Sequence, residues 1–346
     1  MRSNGDAQKL GLRAGEEVEV RSREEILRTL DADGRLDGLP FQPEMLAYCG
    51  QRLRVWKVAH KTCDTINKTG GRRMSDAVHL EGVRCDGSAH GECQANCLLF
   101  WKEAWLKRPG DPDTVAAAPP ACDEAVLWRN VTVEGDINVD NDPTWVCQIT
   151  RLFAATTPLP WWDARQYLQD VLHGNVGAWK MVCTLTQAAY SKLVFAGIGY
   201  RALIWLFNQW QKLWGGKPFP LASGLLPRGA KTPTGELDLQ VGEWVEIRSA
   251  DEIRATLGPD AKNRGLLFDP EMVKFCGERH QVQRRVLRLI EEPTGKMIRM
   301  KNPCIVLQDV YCRGECTPRR LGCPRAIDSY WREIWLRRSS GASASG

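Results

Sequence analysis

The stretch Phe41-Gln-Pro-Glu-Met-Leu-Ala-Tyr-Cys-Gly50 returns near the other end of the chain as Phe268-Asp-Pro-Glu-Met-Val-Lys-Phe-Cys-Gly277. The second copy lies 227 residues after the first (268 − 41). The same offset aligns Gly15–Ser22 with Gly242–Ser249, and three further residues bring Trp101–Arg108 onto Trp331–Arg338. This many collinear matches indicates a duplicated module with an inserted middle.

The repeats and the composition between them predict six segments. These are a first Cys/His-rich β module at 11–108, a linker with short strands at 109–160, a Trp-rich helical domain at 161–214, a linker at 215–237, a second Cys-rich β module at 238–338, and a disordered tail at 339–346.

Each module combines short strands with one capped helix. Residues 18–21 alternate apolar and polar side chains, and Ser22 with Glu25 forms the sequence of a capping box before a helix. Gly70-Gly71 marks a hairpin turn, and 98–106 predicts a last strand or a short helix. On such a strand Glu103, and Glu333 in the second copy, point outward. We therefore expect an α+β protein in which two small SH3-like β-barrels flank the helical middle.

Composition places the chain among ordinary globular proteins. It has 346 residues, 43% of them hydrophobic and 26% charged, and its net charge is +5. The first nine residues are polar and contain no apolar core of a signal peptide, so we expect a cytoplasmic, reducing environment. Thirteen cysteines in such an environment favour metal ligands or reactive thiols over disulfides.

One apolar stretch, Leu193–Phe207, raises the question of a membrane span. It has 15 residues and contains Arg201, whereas a spanning helix needs about 20 residues with few charges. A buried or interfacial helix is the better prediction.

The repeated cysteines point to metal. Cys49, Cys85 and Cys93 align with Cys276, Cys312 and Cys323. A fourth thiol would come from facing positions on one hairpin, Cys63 in the first copy and Cys304 in the second. Four converging thiolates suit zinc or an iron–sulfur cluster. We expect zinc more than iron–sulfur, although no CxxC spacing is present. The predicted ligand sets are Cys49, Cys63, Cys85 and Cys93, and Cys276, Cys304, Cys312 and Cys323, with Cys97 and Cys316 as alternates.

The first module also carries three histidines that the second lacks: His60, His79 and His90. With Cys97 they are candidate ligands or general acid–base groups. If one module performs chemistry, we expect it to be the first.

Several strings together resemble a family of uncharacterised bacterial proteins. They are the repeated Phe-x-Pro-Glu-Met motif, Lys61–Thr65, His79–Cys85 and Tyr330–Trp335. The resemblance covers both modules and the middle between them. It implies a bacterial, cytoplasmic protein associated with polysaccharide or natural-product biosynthesis, and it assigns no catalytic residue.

Three functions remain open. The first is a metal-binding accessory or scaffold protein that holds a protein partner through the Trp-rich middle, where an apolar groove or interfacial membrane contact is the alternative. The second is a metalloenzyme, with iron–sulfur or zinc and thiol chemistry in the first module. The third, nucleic-acid binding, is disfavoured by the modest charge. Nucleotide-binding, serine-hydrolase and zincin motifs are absent from the sequence.

Overall fold

A computed structural model describes residues 9–67, 69–112, 120–137, 142–197, 200–213 and 215–339. The predicted tail at 339–346 lies outside these ranges except for its first residue. The chain forms two compact units. The first comprises 1–181, 288–299 and 322–325, and the second comprises 182–287, 300–321 and 326–346.

The N-terminal part of the chain, to residue 181, contains twelve described strands and the first helices. The strands are β1 Glu17–Val20, β2 Arg35–Leu36, β3 Leu39–Pro40, β4 Arg52–Val58, β5 Lys61–Cys63, β6 Gly71–Arg73, β7 Ala77–Leu80, β8 Trp101–Lys102, β9 Leu106–Lys107, β10 Thr132–Ile137, β11 Pro143–Trp145 and β12 Thr157–Leu159. The helices are α1 Arg23–Thr29, α2 Glu124–Arg129, α3 Arg165–Leu172 and the start of α4 Ala178–Phe195, with 3₁₀ helices at Pro43–Tyr48 and Glu103–Trp105.

The rest of the chain repeats the pattern. It contains α5 Tyr200–Leu213, β13 Trp244–Ile247, α6 Ala250–Arg254, β14 Lys262–Asn263, β15 Leu266–Leu267, β16 Arg279–Ile290, β17 Met297–Tyr311, β18 Asp328–Trp331 and β19 Leu336–Arg338. Its 3₁₀ helices are Pro270–Phe275, Pro318–Arg320 and Glu333–Trp335.

The duplication is visible in the sheets. The first module has the strand order β8-β7-β4-β1-β9, and the second has the equivalent order β18-β17-β16-β13-β19. Even the register repeats, because Val18 pairs with Leu53 and Val245 pairs with His280, each 227 residues later. The described strands pair antiparallel and are interspersed with helices, so the predicted α+β class is confirmed.

Local signals set the ends of the repeated helices. Ser22 caps α1 with Glu25 in a complete capping box, and Ser249 with Glu252 does the same for α6. The 3₁₀ helix within each copy of the repeated motif begins with proline, Pro43 in the first and Pro270 in the second. The capping box at Ser22 confirms the helix start predicted from the sequence.

The same aromatic core closes each module. Phe41 packs edge to face against Trp101 and Trp105, with ring centroids 6.1 and 5.1 Å away. Phe268 packs in the same way against Trp331 and Trp335. Edge-to-face pairs add to the free energy of burial, and this repeated cluster fixes the repeated motif against the end of each module.

The hairpin of the first module differs from the prediction. Cys63 pairs with Gly71, not with the position of Ala77, because β5 and β6 form a short ladder whose turn centres near residue 67. Asp64 Oδ1 accepts hydrogen bonds from the backbone N–H groups of Ile66 and Asn67, and such an Asx turn starts the loop earlier than Gly70. The prediction that Cys63 faces the position equivalent to Cys304 on one hairpin is therefore wrong.

The predicted last strand is interrupted. The 3₁₀ helix Glu103–Trp105 separates β8 from β9, so Glu103 turns inward and is 4% exposed. Its carboxylate accepts three backbone N–H groups, from Leu10, Gly11 and Leu12. Glu333 does the same for Leu237 and its two successors. The outward orientation predicted for Glu103 and Glu333 is therefore wrong.

The middle of the chain contains the predicted helices. These are α3 at Arg165–Leu172, α4 at Ala178–Phe195 and α5 at Tyr200–Leu213. Gly197, between α4 and α5, has a φ of +90°, which favours glycine. Among the described residues, none of the helices combines the length and the apolar character needed to cross a membrane.

Candidate metal centre

Two elements of the first module bring three ligand-type side chains together. Glu44 lies in the first turn of the 3₁₀ helix Pro43–Tyr48, while Cys85 and His90 lie on the Gly-rich loop that follows β7. Their ligand atoms all lie within 4.8 Å of one another. In the parts of the chain that the structure describes, no other set of three or more His, Cys, Asp or Glu ligand atoms is this close. We call this set the Glu44 group.

The glutamate holds the loop in place. Glu44 Oε1 accepts a hydrogen bond from the Ala89 N–H at 3.2 Å and lies 2.6 Å from His90 Nδ1 and 3.7 Å from Cys85 Sγ. In the second module Glu271 Oε1 accepts from the N–H groups of Cys316 and Thr317, which align with Ala89 and His90. Anchoring the loop is thus common to both copies, whereas the imidazole is specific to the first.

The orientation of His90 suits a ligand. Its Nε2 donates to the carbonyl oxygen of Val146 at 3.1 Å, while its Nδ1 faces Glu44 and Cys85. Metal-bound histidines are commonly oriented by such a bond from the second ring nitrogen to a backbone carbonyl. Since His90 is 1% exposed, this orientation is fixed by packing.

A second layer of polar contacts surrounds the group. Gln42 Nε2 lies 3.5 Å from both Cys85 Sγ and Glu44 Oε2, and Gln42 Oε1 accepts the N–H of Gln148 at 2.9 Å. The side chain of Gln148 in turn bonds the backbone of Pro40 and Phe100. The inserted segment around Gln148 therefore supports the site from outside the repeat.

The charges respond to this environment. Burial, reinforced by the carboxylate of Glu44, raises the pKa of the Cys85 thiol far above its ordinary value. Burial alone would raise the pKa of Glu44, but the hydrogen bond and charge of His90 hold that pKa below its ordinary value. A neutral thiol next to a carboxylate ionises when a cation supplies the balancing charge. The three side chains are close enough to hold a metal ion.

The other three thiols of the predicted first ligand set are not part of the Glu44 group. Cys49 ends the 3₁₀ helix, and burial raises its pKa to about 11. The Cys63 thiol lies 3.9 Å from a guanidinium nitrogen of Arg325, and Cys93 Sγ accepts the N–H of Ile290 at 3.3 Å. Of the predicted quartet, the structure therefore places Cys85 alone in the group.

Cys97 is a further candidate, because its backbone pairs with that of Cys85. The Cys85 N–H donates to the Cys97 carbonyl oxygen at 2.8 Å, next to the bridge between Arg84 and Leu98. Side chains at paired positions are neighbours. Burial raises the pKa of Cys97, and its charge in turn affects that of Cys85. Cys97 was an alternate in the sequence prediction.

The predicted thiols of the second module are likewise dispersed. Cys276 ends the 3₁₀ helix, and burial raises its pKa to about 12. Cys304 is buried on β17 with Arg332 Nη1 at 3.4 Å, and the Cys312 N–H bonds to the Ile327 carbonyl. Cys316 lies beside Glu271 and Lys274, and Cys323 belongs to the first unit near Lys61.

Two predicted histidines occupy other sites. His60 Nε2 lies 3.4 Å from Asp170 Oδ1, and burial lowers its pKa to about 4. His79 is fully buried on β7, where its Nδ1 lies 2.8 Å from the carbonyl oxygen of Leu99. Burial lowers its pKa to about 3. Both belong to the interior of the first unit and not to the Glu44 group.

The burial of His79 gives a prediction for pH. Because its folded pKa lies below the unfolded value near 6.5, the unfolded chain binds the proton more readily, and stability falls as pH decreases from 6.5 toward 3. We expect this histidine to account for about 2 kcal/mol of lost unfolding free energy between about pH 7 and pH 5. In His79→Asn the amide can still donate to Leu99, but no imidazole titrates. Urea titrations at pH 7 and pH 5 should therefore show a smaller loss of unfolding free energy than in the wild type. An unchanged pH dependence in the variant would contradict the assignment.

Glu44 is not among the ligands predicted from the sequence. A signal was available, since the glutamate recurs in both copies together with a Gly-rich loop some 40 residues later. Comparison with known proteins adds no identity to the site, because no protein-family model and no curated protein matches this chain.

Proposed function

We propose that the chain is a metal-binding protein whose first module holds one zinc ion through Glu44, Cys85 and His90, with Cys97 as the fourth ligand. The observation that carries the proposal is the convergence of three different ligand atoms within 4.8 Å. Ligand atoms around tetrahedral zinc lie roughly 3.3–3.7 Å apart. The Cys85–Glu44 distance of 3.7 Å meets this requirement, and the His90–Glu44 pair would open slightly to admit the ion.

The donor set favours zinc over an iron–sulfur cluster. A cluster needs four thiolates, or two thiolates and two imidazoles in the Rieske type. One imidazole, one carboxylate and one or two thiolates match the mixed ligands that zinc accepts. The proposal retains the predicted metal but assigns it one site with different ligands.

The surroundings favour a structural ion. The hollow beside His90, bordered by Gln42, Pro43 and Val146, has a volume of about 10 Å³, which is the room for roughly one water molecule. This hollow is too small for a substrate, whereas a zinc ion needs no room beyond its ligands. We therefore favour an accessory or scaffold protein stabilised by zinc over a metalloenzyme.

We further propose that both modules are small SH3-like barrels. β8 and β9 lie at opposite edges of the strand order, although the three residues of Glu103–Trp105 join them. Three residues span at most about 10 Å, so the two edges must approach each other and the sheet must curl. The second module supports the same argument through Glu333–Trp335. A biosynthetic context stays a prediction carried by the sequence resemblance.

Elemental analysis of protein purified without added metal or chelator tests the metal proposal. We expect about one zinc per chain in a colourless solution. Cys85→Ser, His90→Gln and Cys97→Ser should each reduce bound zinc to less than about a tenth, measured again after zinc addition and desalting. Removal of zinc by a chelator should lower the thermal midpoint of the protein.

Matched variants distinguish the Glu44 group from the four-cysteine ligand set predicted from the sequence. Cys49→Ser and Cys63→Ser change thiols outside the Glu44 group and should keep the full zinc content. If these variants lose zinc while Cys97→Ser and His90→Gln keep it, the quartet is right and the Glu44 group is wrong. A brown solution containing iron and sulfide would likewise reject the zinc proposal.

A further inference from the structure

Helix α5 carries an apolar face toward solvent. Trp205, Leu206, Trp210 and Leu213 are exposed by 59%, 54%, 60% and 78%. At 100° per residue they occupy roughly 140° of the helix circumference. Exposed apolar side chains grouped in this way mark an interaction surface more often than isolated ones do. We call these four residues the α5 face.

The opposite side of α5 is already packed. Phe207 lies against Tyr190 of α4 and Phe219, with ring centroids 5.6 and 5.5 Å away, and Tyr190 donates its hydroxyl to the Leu203 carbonyl at 2.7 Å. Asn208 Oδ1 accepts the N–H of Phe219. One side of the helix is therefore packed within the second unit, and the other side, the α5 face, exposes apolar side chains to solvent.

The sequence around α5 is rich in basic residues. Between Asp170 and Glu236 the sequence contains no acidic residue and these basic ones: Lys180, Lys192, Arg201, Lys212, Lys217, Arg228 and Lys231. Arg201 and Lys212 are exposed. Around the helix circumference they lie next to Trp205, at one border of the α5 face. Outside this stretch, acidic and basic residues are interspersed.

We infer that the α5 face binds the surface of an anionic lipid bilayer, lying in the interface without spanning it. Tryptophan and leucine on one side of a helix, with lysine and arginine at its border and no acidic residue, match the requirements of interfacial helices. The basic residues attract anionic headgroups, and the apolar residues enter the boundary between headgroups and acyl chains. The inference is independent of the zinc proposal, because none of the residues of the Glu44 group takes part.

Co-sedimentation of the full chain with vesicles tests the inference. We expect binding to equimolar phosphatidylcholine and phosphatidylglycerol at least about tenfold tighter than to phosphatidylcholine alone, and weaker binding at high salt. The double variant Arg201→Gln, Lys212→Gln should lose about thirtyfold in affinity, since each basic residue near an anionic surface contributes about a factor of five. The double variant Trp205→Ser, Trp210→Ser should lose at least about tenfold.

The matched control is Trp162→Ser, which removes an exposed tryptophan (69%) from the first unit and should bind vesicles like the wild type. Equal binding to both vesicle types, or an equal loss in the control, would overturn the inference. So would a stable dimer that dissociates in the Trp205, Trp210 variant while no vesicle binds, because the face would then join two copies of the chain.

Discussion

Replacement of Asp170 by alanine is expected to lower the free energy of unfolding by about 3–5 kcal/mol. The Asp170 carboxylate is fully buried, and its Oδ2 lies 2.5 Å from the Nζ of Lys61, which is also buried. Burial lowers the pKa of Lys61, although the charge of Asp170 opposes this shift. Without Asp170 the buried ammonium would lose the carboxylate that balances its charge. Urea unfolding followed by circular dichroism measures the cost.

Two further variants distinguish the effect of the buried charges from the effect of a lost side chain. Lys61→Met combined with Asp170→Leu should recover most of the loss, because an apolar pair removes both buried charges together. Asp33→Ala should cost less than about 1 kcal/mol, since this carboxylate is 63% exposed in its pair with Arg35. A loss below about 1 kcal/mol for Asp170→Ala would show that the pair is not formed as described.

The repeat explains why much of the fold was predictable. Capping boxes, proline at the start of the 3₁₀ helices and alternating strands are local patterns, and each occurs twice with one spacing. A secondary-structure assignment that is wrong in one copy is seldom supported by the other. Two aligned copies therefore restrict the predicted elements more than a single sequence does. The exception is the hairpin, where the Asx turn at Asp64 occurs in the first copy and moved the register that was inferred from Gly70.

The candidate site was harder to predict because its contacts are distant in sequence. Glu44 meets His90 across 46 positions, and His90 meets Val146 across 56. No periodic pattern indicates such pairings, whereas cysteine is conspicuous in any sequence, and both predicted ligand sets consist of cysteines. Cys49 and Cys93 recur in both copies, yet recurrence also follows from packing in an interior, where free cysteine is common.

Two buried glutamates give the second prediction with a large effect. Glu103→Ala and Glu333→Ala are each expected to lower the unfolding free energy by about 3–5 kcal/mol. Glu103 accepts the N–H groups of Leu10, Gly11 and Leu12 at 2.7, 2.9 and 3.1 Å. Alanine would leave these donors without an acceptor and release the segment that leads into β1. Chemical unfolding of each single variant measures the loss.

The two copies allow a comparison that a single module would not. Glu333 also binds Arg285 at 2.7 Å, whereas the aligned position in the first module is Val58. Glu333→Gln should therefore cost more than Glu103→Gln, because it also weakens an ion pair. Glu17→Gln, an exposed glutamate on β1, should stay within about 0.5 kcal/mol of the wild type. If both glutamine variants matched that control, the carboxylates would not be holding the segments before β1 and β13, and the repeated Trp-x-Glu-x-Trp pattern would be explained by its tryptophans alone.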